Sequence, residues 1–419
     1  MARKQESLTG KIDWLTIIFY GVLVILGWVV IYSSSYSGDE KSIFDSSINS
    51  GKQFQWILAS LVLAAIILIV DSRFYTTFSY VFFVLLMLFV VLVMFVGVEV
   101  KGQRNWIRIG SFQMQPSEMA KFAVSLALAK FLSGLNVDIR KWKDKWRVFA
   151  IIGIPVLIVL IQGDAGSAIV FVALALVLFR EGLESYYLII GASIAVLGVL
   201  ALLVNKFILA GVLLATSLIV IYFSRRNKKL ALIILGLWVV ASGFVFSVDF
   251  AFKKMKPHQR DRINVLLGKE VETGKDWNIR QSIIAIGSGG FIGKGYLNGT
   301  QTKLKFVPEQ STDFIFSSIG EEFGFVGSAI LIILFLGFFY RLLYLAERQR
   351  SKFSRVYGYC VASILFFHFL INVGMAIGVA PVIGIPLPFI SYGGSSLLSF
   401  TVLLFIFIRL DTQRYDVMR

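Results

Sequence analysis

The stretch from residue 14 to residue 34 reads WLTIIFYGVLVILGWVVIYSS and contains no Asp, Glu, Lys or Arg. A helix of about 20 apolar residues crosses the hydrocarbon core of a bilayer. The stretch is too long for the core of a signal peptide, and no small-residue cleavage site follows it. It therefore predicts a first membrane span that is retained in the protein.

Further apolar stretches of the same kind follow along the whole chain. The predicted spans after the first are 54–70, 76–97, 116–133, 148–162, 166–180, 185–204, 207–223, 229–249, 326–346, 356–379 and 393–410. Two pairs, 148–162 with 166–180 and 185–204 with 207–223, have very short connections, so the count lies between ten and twelve, with twelve favoured. The sequence predicts an all-α fold, a polytopic transmembrane helical bundle that forms a single membrane domain over residues 1–419.

The composition agrees with a chain that lies mostly in lipid. Hydrophobic residues make up 57% of it and charged residues 16%, whereas a soluble domain carries about 25% charged residues. The formal charge is +16, from 41 Lys and Arg against 25 Asp and Glu. Basic residues orient membrane proteins and contact anionic lipids, so we expect membrane lipids and no nucleic acid as partners. Cys360, His258 and His368 are scattered, which argues against a zinc site.

The sidedness follows from the loops between the predicted spans. Basic residues cluster at 140–147, 225–229 and 348–355, and such clusters mark the cytoplasmic side. This arrangement predicts that both termini are cytoplasmic and that the large polar loop 251–312 is extracytoplasmic. An even number of spans is favoured, because dropping a single span would put the 225–229 cluster on the wrong side.

The segment 101–110, KGQRNWIRIG, carries polar groups between the third and fourth spans. Arg104, Trp106 and Arg108 suit either an interfacial loop with an aromatic anchor or a site that binds an anionic group. Pro116 suits the first turn of the next helix. Glu118 and Lys121 are three residues apart and share one helical face, which predicts an internal salt bridge, a polar cavity, or both.

The loop 251–312 holds 11 Lys and Arg in 62 residues, among them Arg260 and Arg262. These cations suit a phosphate or pyrophosphate, and equally lipid headgroups or a partner protein. Within the loop, the glycine-rich stretch 287–295 could offer backbone N–H groups to a phosphate. It fits neither a Walker A nor a Rossmann spacing, so a turn-rich connector is favoured.

Asp313 lies where this loop turns into an apolar helix. On residue type and position alone, an N-cap is favoured, and the alternative is a carboxylate that takes a proton from a substrate hydroxyl. Further on, residues 372–396 contain three prolines and five glycines within apolar sequence. Irregular backbone at membrane depth is tolerated only against protein or a water-filled cavity, so this segment predicts a re-entrant stretch that lines a site.

Several of these motifs, in this order, resemble the SEDS proteins (shape, elongation, division and sporulation), typified by RodA and FtsW. The resemblance is carried by residues 101–110, 115–121, 162–167, 259–262, 308–316 and 381–396. The last run, which includes Ser391 and Tyr392, is the most specific. The short 99–110 loop and the Gln259-Arg260 pair look more like the RodA branch.

This resemblance implies a peptidoglycan glycosyltransferase of the bacterial inner (cytoplasmic) membrane. Such enzymes polymerise lipid II, an undecaprenyl-pyrophosphoryl disaccharide-peptide, into glycan strands during cell-wall elongation. Their partner is a class B penicillin-binding protein, which supplies the transpeptidase. The family residue that matches Asp313 is essential, and those that match Trp106, Glu118 and Lys121 are implicated.

The implied roles make Asp313 the catalytic base. Pyrophosphate is expected to meet cations, Lys121 and Arg104 first and Arg108, Arg260 and Arg262 after them, and a divalent cation (Mg or Mn) is left open. Ser391 and Tyr392 are expected to support the site. The alternatives are a lipid II flippase, which needs the same cavity but no base, and a scaffold of the elongation complex.

The chain departs from the family pattern in two places. The family usually has ten spans, and the surplus here looks like a hairpin inserted within 185–229. In addition, Gly163 stands where the family often has a proline, which puts the helix break at that position in question.

Overall fold

The structure is a computed structural model that describes residues 8–36, 42–100, 103–110, 112–224, 228–254, 260, 264, 277–304 and 306–415. The chain divides into two compact units. The first combines residues 1–183 with 277–419, and the second consists of residues 184–276. Lys101 lies outside the described residues, as do Arg262 and the stretch 265–276.

The first unit is built of helices that are mostly apolar. In chain order they are α1 Leu8–Lys11, α2 Trp14–Ser35, α3 Asn49–Ile69, α4 Ser72–Thr77, α5 Ser79–Val96, α6 Pro116–Leu132, α7 Trp142–Ile161, α8 Ala165–Val172 and α9 Leu174–Arg180. After the second unit follow α13 Trp277–Ser288, α14 Thr300–Lys303, α15 Ile315–Glu347, α16 Lys352–Ala376 and α17 Gly394–Thr412. Helices α6 and α17 are among the most buried, which places the polar side chains of α6 inside protein.

The second unit includes the long helices α10 Ser185–Leu203, α11 Lys206–Phe223 and α12 Lys228–Lys254. A small core of Ala201, Leu209 and Val245 joins them. Lys206 Nζ donates to Asp249 Oδ2 at 2.7 Å, which ties the start of α11 to α12. These helices expose most of their apolar side chains, as expected for surfaces that face lipid.

A helix occupies each of the predicted spans. Nine of the helices in the described residues are long and apolar enough to cross a membrane, and the apolar stretch Ala165–Arg180 is shorter. The predicted span 326–346 corresponds to the part of α15 that follows the non-helical Gly324, and α15 itself starts earlier, at Ile315. The predicted large loop also contains two helices, α13 and α14, that the sequence analysis did not identify.

The prediction of an all-α fold missed a small antiparallel sheet. Its strands are β1 Val98–Val100, β2 Gln103–Ile109 and β3 Phe112–Met114, in the order β1-β2-β3. Gly110 has φ 63°, a left-handed conformation that suits a tight turn between β2 and β3. The strands are short and carry polar residues on both faces, so they lack the alternating apolar pattern that marks a strand in sequence.

The helix break between α7 and α8 forms without the family's proline. Helix α7 ends at Ile161 and α8 begins at Ala165, with Gly163 at φ 83° between them. Asp164 caps α8, since its Oδ1 accepts from Ser167 N at 2.9 Å. The glycine therefore makes the turn through a left-handed backbone conformation, which it adopts at little cost.

A kink interrupts α15 just after two buried glutamates, Glu321 and Glu322. Gly324 has φ 63° and ψ −157°, a conformation that only glycine adopts readily. The glycine-rich stretch 287–295 packs directly against this kink. A Cβ on Gly289 would collide with the carbonyl oxygen of Gly320, and a Cβ on Gly293 with that of Glu322. The glycines are needed because two backbones approach each other closely.

The backbone N–H groups of the glycine-rich stretch are engaged within the protein. Lys294 N donates to Glu321 O at 3.1 Å and Gly295 N to Glu322 O at 2.9 Å, while Gly293 N donates to Gly289 O at 2.8 Å. A phosphate therefore finds these donors already paired. The favoured interpretation, a turn-rich connector, fits the structure.

We expect Gly293→Ala to destabilise the protein. Gly293 has φ 91°, and holding a non-glycine residue in such a region costs about 1–3 kcal/mol before any collision is counted. The measurement is the midpoint of thermal unfolding in detergent. Gly287→Ala is the matched control, because a Cβ there meets nothing within 4 Å and alanine favours the helical conformation. Equal midpoints for the two variants would contradict this account of the kink.

Candidate functional site

The segment between α16 and α17 runs through the protein without regular secondary structure. Its apolar residues Ile385, Leu387, Phe389 and Ile390 are all at most 2% exposed. Gly384 and Phe389 have φ of 73° and 65°. The predicted break in the apolar sequence is therefore present, and we call residues 377–393 the irregular segment. That this segment lines a site stays a prediction.

Asp313 lies against this irregular segment. Ser391 Oγ donates to Thr312 O at 2.6 Å, and Tyr392 N donates to Ser311 O at 2.8 Å. A Cβ on Gly384 would lie 3.4 Å from Asp313 Oδ2, so the carboxylate passes close to the bare backbone of that glycine. The irregular segment thus holds residues 311 and 312 through their main-chain oxygens and packs Gly384 against the Asp313 carboxylate.

Ser391 is itself fixed, because its Oγ also accepts from Leu387 N at 2.8 Å. Tyr392 is partly buried. Ser391 through its Oγ and Tyr392 through its backbone N both contact the Asp313 segment. That these two residues support a site stays a prediction.

The favoured reading of Asp313 as an N-cap is wrong by one position. Helix α15 begins at Ile315, and the N-cap residue is Phe314. Asp313 precedes the cap and is partly buried. Its Oδ2 lies beside Gly384, and an acid–base role for this carboxylate stays a prediction.

A buried polar cluster of Glu118, Lys121 and His368 joins α6 to α16. Lys121 Nζ donates to Glu118 Oε1 at 2.6 Å and contacts His368 Nε2 at 2.8 Å. The exposures are 4%, 0% and 1% respectively. The predicted salt bridge on one face of the helix is therefore present. It lies wholly inside protein, where an ionisable pair avoids the cost of contact with lipid.

The hydrogen bonds of His368 determine which of its nitrogens carries the proton. Its Nδ1 lies 3.2 Å from Pro386 O, and a carbonyl can only accept, so Nδ1 donates. Nε2 is then free to accept from the Lys121 ammonium. A neutral imidazole thus links the cation to the irregular segment.

One turn further along α16, Asn372 makes the corresponding link to the Asp313 segment. Its Nδ2 donates to Asp313 O at 2.8 Å and to Ile385 O at 2.7 Å. His368 and Asn372 are four residues apart and share one face of the helix. Together they connect the Lys121 cluster, the irregular segment and Asp313 through short hydrogen bonds.

The three-stranded sheet is anchored by Asp164. Asp164 Oδ2 accepts from Asn105 Nδ2 at 3.0 Å and from Gln115 Nε2 at 2.6 Å. Gln115 is the N-cap residue of α6 and Pro116 its first residue, as predicted, but the Gln115 side chain binds Asp164 and makes no cap hydrogen bond. The sheet and the start of α6 are therefore held by one carboxylate.

Arg104, Trp106 and Arg108 share the opposite face of β2, since side chains alternate along a strand. Both arginines are exposed and Trp106 is partly buried. This face can offer two guanidinium groups beside an aromatic ring to an anionic ligand.

The structure thus brings together some of the predicted residues and separates others. Asp313, Ser391 and Tyr392 meet, and Glu118 and Lys121 form a pair. Lys121 has no exposed surface, so it offers pyrophosphate no direct contact. Arg260 is exposed in the second unit, and Arg262 lies outside the described residues. Within the ranges that the structure describes, no three His, Cys, Asp or Glu side chains group together as metal ligands would.

His368, Asn372 and Asp164 were missed as site residues. The signal for His368 was available, because an ionisable residue within an apolar span is costly and usually has a partner. Asn372 and Asp164 were noticed only as parts of motifs. Their partners lie 59 residues away in sequence, and nothing local identifies such a contact.

Comparison with known proteins gives one family for the whole chain. The family of FtsW, RodA and SpoVE, described as cell cycle protein, matches residues 13–208 and 179–416. The two ranges overlap at 179–208.

Among curated proteins, the chain is similar to a peptidoglycan glycosyltransferase, MrdB, of Escherichia coli K12. The two are 33% identical over 383 residues, which cover 90% of this chain and 89% of the relative. It is also 31% identical to the peptidoglycan glycosyltransferase RodA of Treponema pallidum, over 92% of this chain and 94% of that protein.

Two solved structures are similar over almost the whole length. One belongs to work described as structural coordination of polymerization and crosslinking by a peptidoglycan synthase complex. It matches with a TM-score of 0.70 and 28% identity, covering 97% of this chain and 99% of that one. The other is the rod shape determining protein RodA of Thermus thermophilus, with a TM-score of 0.64 and 25% identity, covering 96% and 98%.

Proposed function

Because this chain belongs to the FtsW, RodA and SpoVE family and is a peptidoglycan glycosyltransferase, we propose that it polymerises lipid II into glycan strands during cell-wall elongation and releases undecaprenyl pyrophosphate. The observation that carries the proposal is the position of Asp313. Ser391 Oγ, Tyr392 N and Asn372 Nδ2 donate to the main-chain oxygens of residues 312, 311 and 313, while the Asp313 carboxylate lies beside Gly384. A base must be held in place in this way to act efficiently.

In the proposed reaction, Asp313 takes the proton from the 4-hydroxyl of the acceptor sugar. The hydroxyl oxygen attacks the anomeric carbon of the donor and forms the new glycosidic bond with inversion. The bond from that carbon to pyrophosphate breaks, and the electron pair leaves with undecaprenyl pyrophosphate. Pyrophosphate is already a good leaving group, so the site has to supply a base and positive charge.

Positive charge for the pyrophosphate is assigned to the exposed face of β2. Arg104 and Arg108 there present guanidinium groups that suit phosphate oxygens, and Trp106 between them provides an apolar wall. A contribution from Arg260 and Arg262 stays a prediction from the sequence. A divalent cation, Mg or Mn, would neutralise pyrophosphate if bound. Asp313 is the carboxylate placed in the role of base.

Lys121 is assigned a positioning role. It is buried between Glu118 and His368 and reaches the irregular segment only through the imidazole that donates to Pro386 O. Its charge therefore fixes His368, and His368 fixes the segment that holds Asp313. Glu118 orients Lys121, as the sequence analysis expected.

The surroundings of the reaction follow from the same proposal. We assign the chain to the bacterial inner membrane, with both termini cytoplasmic and the 251–312 loop outside, on the distribution of basic residues. A class B penicillin-binding protein is the expected partner, which agrees with the similar structure from a peptidoglycan synthase complex. An inserted hairpin within 185–229, and hence twelve spans, stays a prediction from the sequence.

A lipid II flippase is the competing function, because it would use the same polar site without a base. The test places the purified chain with its partner in liposomes that contain lipid II and measures glycan polymer and lipid II translocation in parallel. We expect polymer. Translocation in the absence of any polymer would overturn the proposal in favour of transport.

We expect His368→Phe to lower the polymerisation rate by about tenfold or more, while His368→Gln stays within a fewfold of the wild type. Phenylalanine keeps the ring that packs at 4.8 Å on Phe400 but removes both hydrogen bonds, and leaving a buried polar partner unsatisfied costs about 1–3 kcal/mol. Glutamine can still accept from Lys121 and donate to Pro386 O.

The measurement is kcat and KM for lipid II for both variants, together with their unfolding midpoints. Equal rates for His368→Phe and the wild type would remove His368 as a positioning residue. A loss in both variants, with the midpoint unchanged in His368→Gln, would also contradict the assigned hydrogen-bonding role.

A further inference from the structure

A cavity of about 460 Å³ lies beside the Asp313 segment. Its size falls within the range of about 300–1,000 Å³ that is typical of small-molecule pockets. It opens between the end of α2, the start of α3 and the approach to α15. The lining residues are Ser34, Ser35, Ile48, Asn49, Val307, Pro308, Glu309, Gln310 and Ser311.

Two polar atoms of this lining are buried without a hydrogen-bond partner among the described residues, Gln310 Oε1 and Ser35 Oγ. Gln310 Nε2 donates to the carbonyl oxygens of Ser34 at 2.5 Å and Thr302 at 2.8 Å. Both of these partners can only accept, so the amide orientation is fixed and Oε1 is the atom left over. Buried polar atoms are normally paired, which points to a ligand with hydroxyl or amide groups.

The charge of the described lining does not favour the anionic part of the substrate. Glu309 is the charged residue among the described residues that line the cavity, and none of those residues is Lys or Arg. Within the described lining, a pyrophosphate would therefore meet a carboxylate. Serine hydroxyls, amides and one carboxylate instead suit the hydroxyl and acetamido groups of a neutral sugar.

Hydrogen bonds connect the residues that line the cavity to the segment that holds Asp313. Asn49 Nδ2 donates to Ser311 Oγ at 3.3 Å, and Ser311 O accepts from Tyr392 N. Glu309 adopts φ 56°, a conformation that a non-glycine residue holds only when the surrounding structure requires it, often at functional sites. Thr312 Oγ1 donates to the Glu309 carboxylate at 2.9 Å. The cavity therefore lies two residues from Asp313.

We propose that this cavity is a glycan subsite that binds an uncharged N-acetylated sugar ring of the substrate, next to the ring that reacts at Asp313. The inference rests on the proposed function and extends it from one reacting centre to a second point of contact with the strand. A sugar ring bound in this subsite holds the saccharide in place while Asp313 takes the proton from the neighbouring ring. The cationic face of β2 is left to the pyrophosphate.

The test fills the cavity from Ser35. Ser35→Phe, in the purified full-length chain with its transpeptidase partner, places a ring in the proposed subsite. We expect the KM for lipid II to rise about tenfold or more. Ser35→Val replaces the hydroxyl with two methyl groups and so abolishes its hydrogen bonding. A rise of about fivefold is expected, which corresponds to one lost hydrogen bond. The matched control is Ser46→Phe, because Ser46 is exposed and is not among the lining residues.

A soluble probe supplies a second readout. Chitotetraose, an uncharged chain of N-acetylglucosamine, should inhibit polymerisation by the wild type and by Ser46→Phe, and inhibit Ser35→Phe several-fold less. Unchanged KM values for both Ser35 variants, or equal inhibition of all variants, would mean a solvent-filled cavity only and would overturn the inference. If Ser35→Phe fails to fold, judged by its unfolding midpoint, the KM of Ser35→Val decides.

Failure of the subsite can be told apart from failure of the function. A wild type that polymerises and an Asp313→Asn variant that does not, combined with unchanged Ser35 variants, would reject the subsite alone. Absence of polymer from the wild type would reject the proposed function as well.

Discussion

Asp313→Asn is expected to lower the initial rate of glycan polymerisation by about 10²–10⁴-fold, the range that a positioned general base contributes. Asparagine keeps the shape of the side chain but cannot take the proton from the acceptor hydroxyl. The hydrogen bonds that hold the segment use main-chain oxygens of residues 311, 312 and 313. The substitution should therefore leave the segment in place, and the loss should appear in kcat.

The measurement is the initial rate of polymer formation from lipid II by the purified chain with its partner. Glu347→Gln is the control for exchanging a carboxylate for an amide, because Glu347 is half exposed in a surface ion pair with Arg180, and such pairs contribute little. Asp313→Glu should retain more activity than Asp313→Asn, since it keeps a carboxylate. An Asp313→Asn rate within threefold of the wild type would remove Asp313 as the base.

Lys121→Met is expected to reduce the free energy of unfolding by about 3–5 kcal/mol, because it leaves the Glu118 carboxylate buried without its cation. Glu118 Oε2 already has no hydrogen-bond partner in the described part of the chain, so little remains to stabilise the charge. Replacing both members of a buried pair with apolar residues of similar volume is often near neutral. The double variant Glu118→Met with Lys121→Met should therefore recover most of the stability.

Thermal unfolding midpoints in detergent measure the first effect, and polymerisation by the double variant separates the two roles of Lys121. If the Lys121 charge positions His368 and the irregular segment, the double variant should be stable but should still polymerise lipid II slowly. Recovery of the wild-type rate along with the stability would show that Lys121 only maintains the fold. Lys130→Met, on the partly buried last turn of α6, controls for the loss of a lysine from this helix.

Local features of this protein could be predicted from the sequence. The Glu118–Lys121 pair was predictable because the two residues are one helical turn apart, and helix geometry alone brings them together. The helices themselves follow from long apolar stretches, whose length is set by the bilayer. The irregular segment was evident from its prolines and glycines, which interrupt an apolar run that would otherwise continue as a helix.

Contacts between distant parts of the chain could not be predicted in this way. The hydrogen bond from Asn372 to Asp313 O and the contact of His368 with Lys121 depend on how α16 packs, since these partners are 59 and 247 residues apart. The small sheet was missed because its strands are short and polar, and their stability comes from Asp164 on another segment. The N-cap reading failed because a cap and the residue before it look alike in sequence.

The central claim is that the irregular segment holds Asp313 as the base of a glycosyl transfer. The most direct test compares the wild type and Asp313→Asn, each in complex with a partner whose transpeptidase is blocked. It measures the affinity for lipid II and the rate at which undecaprenyl pyrophosphate is released. We expect the wild type to release one undecaprenyl pyrophosphate for each glycosidic bond formed, and Asp313→Asn to bind lipid II with similar affinity but to release almost none. Release by Asp313→Asn at the wild-type rate would contradict the central claim.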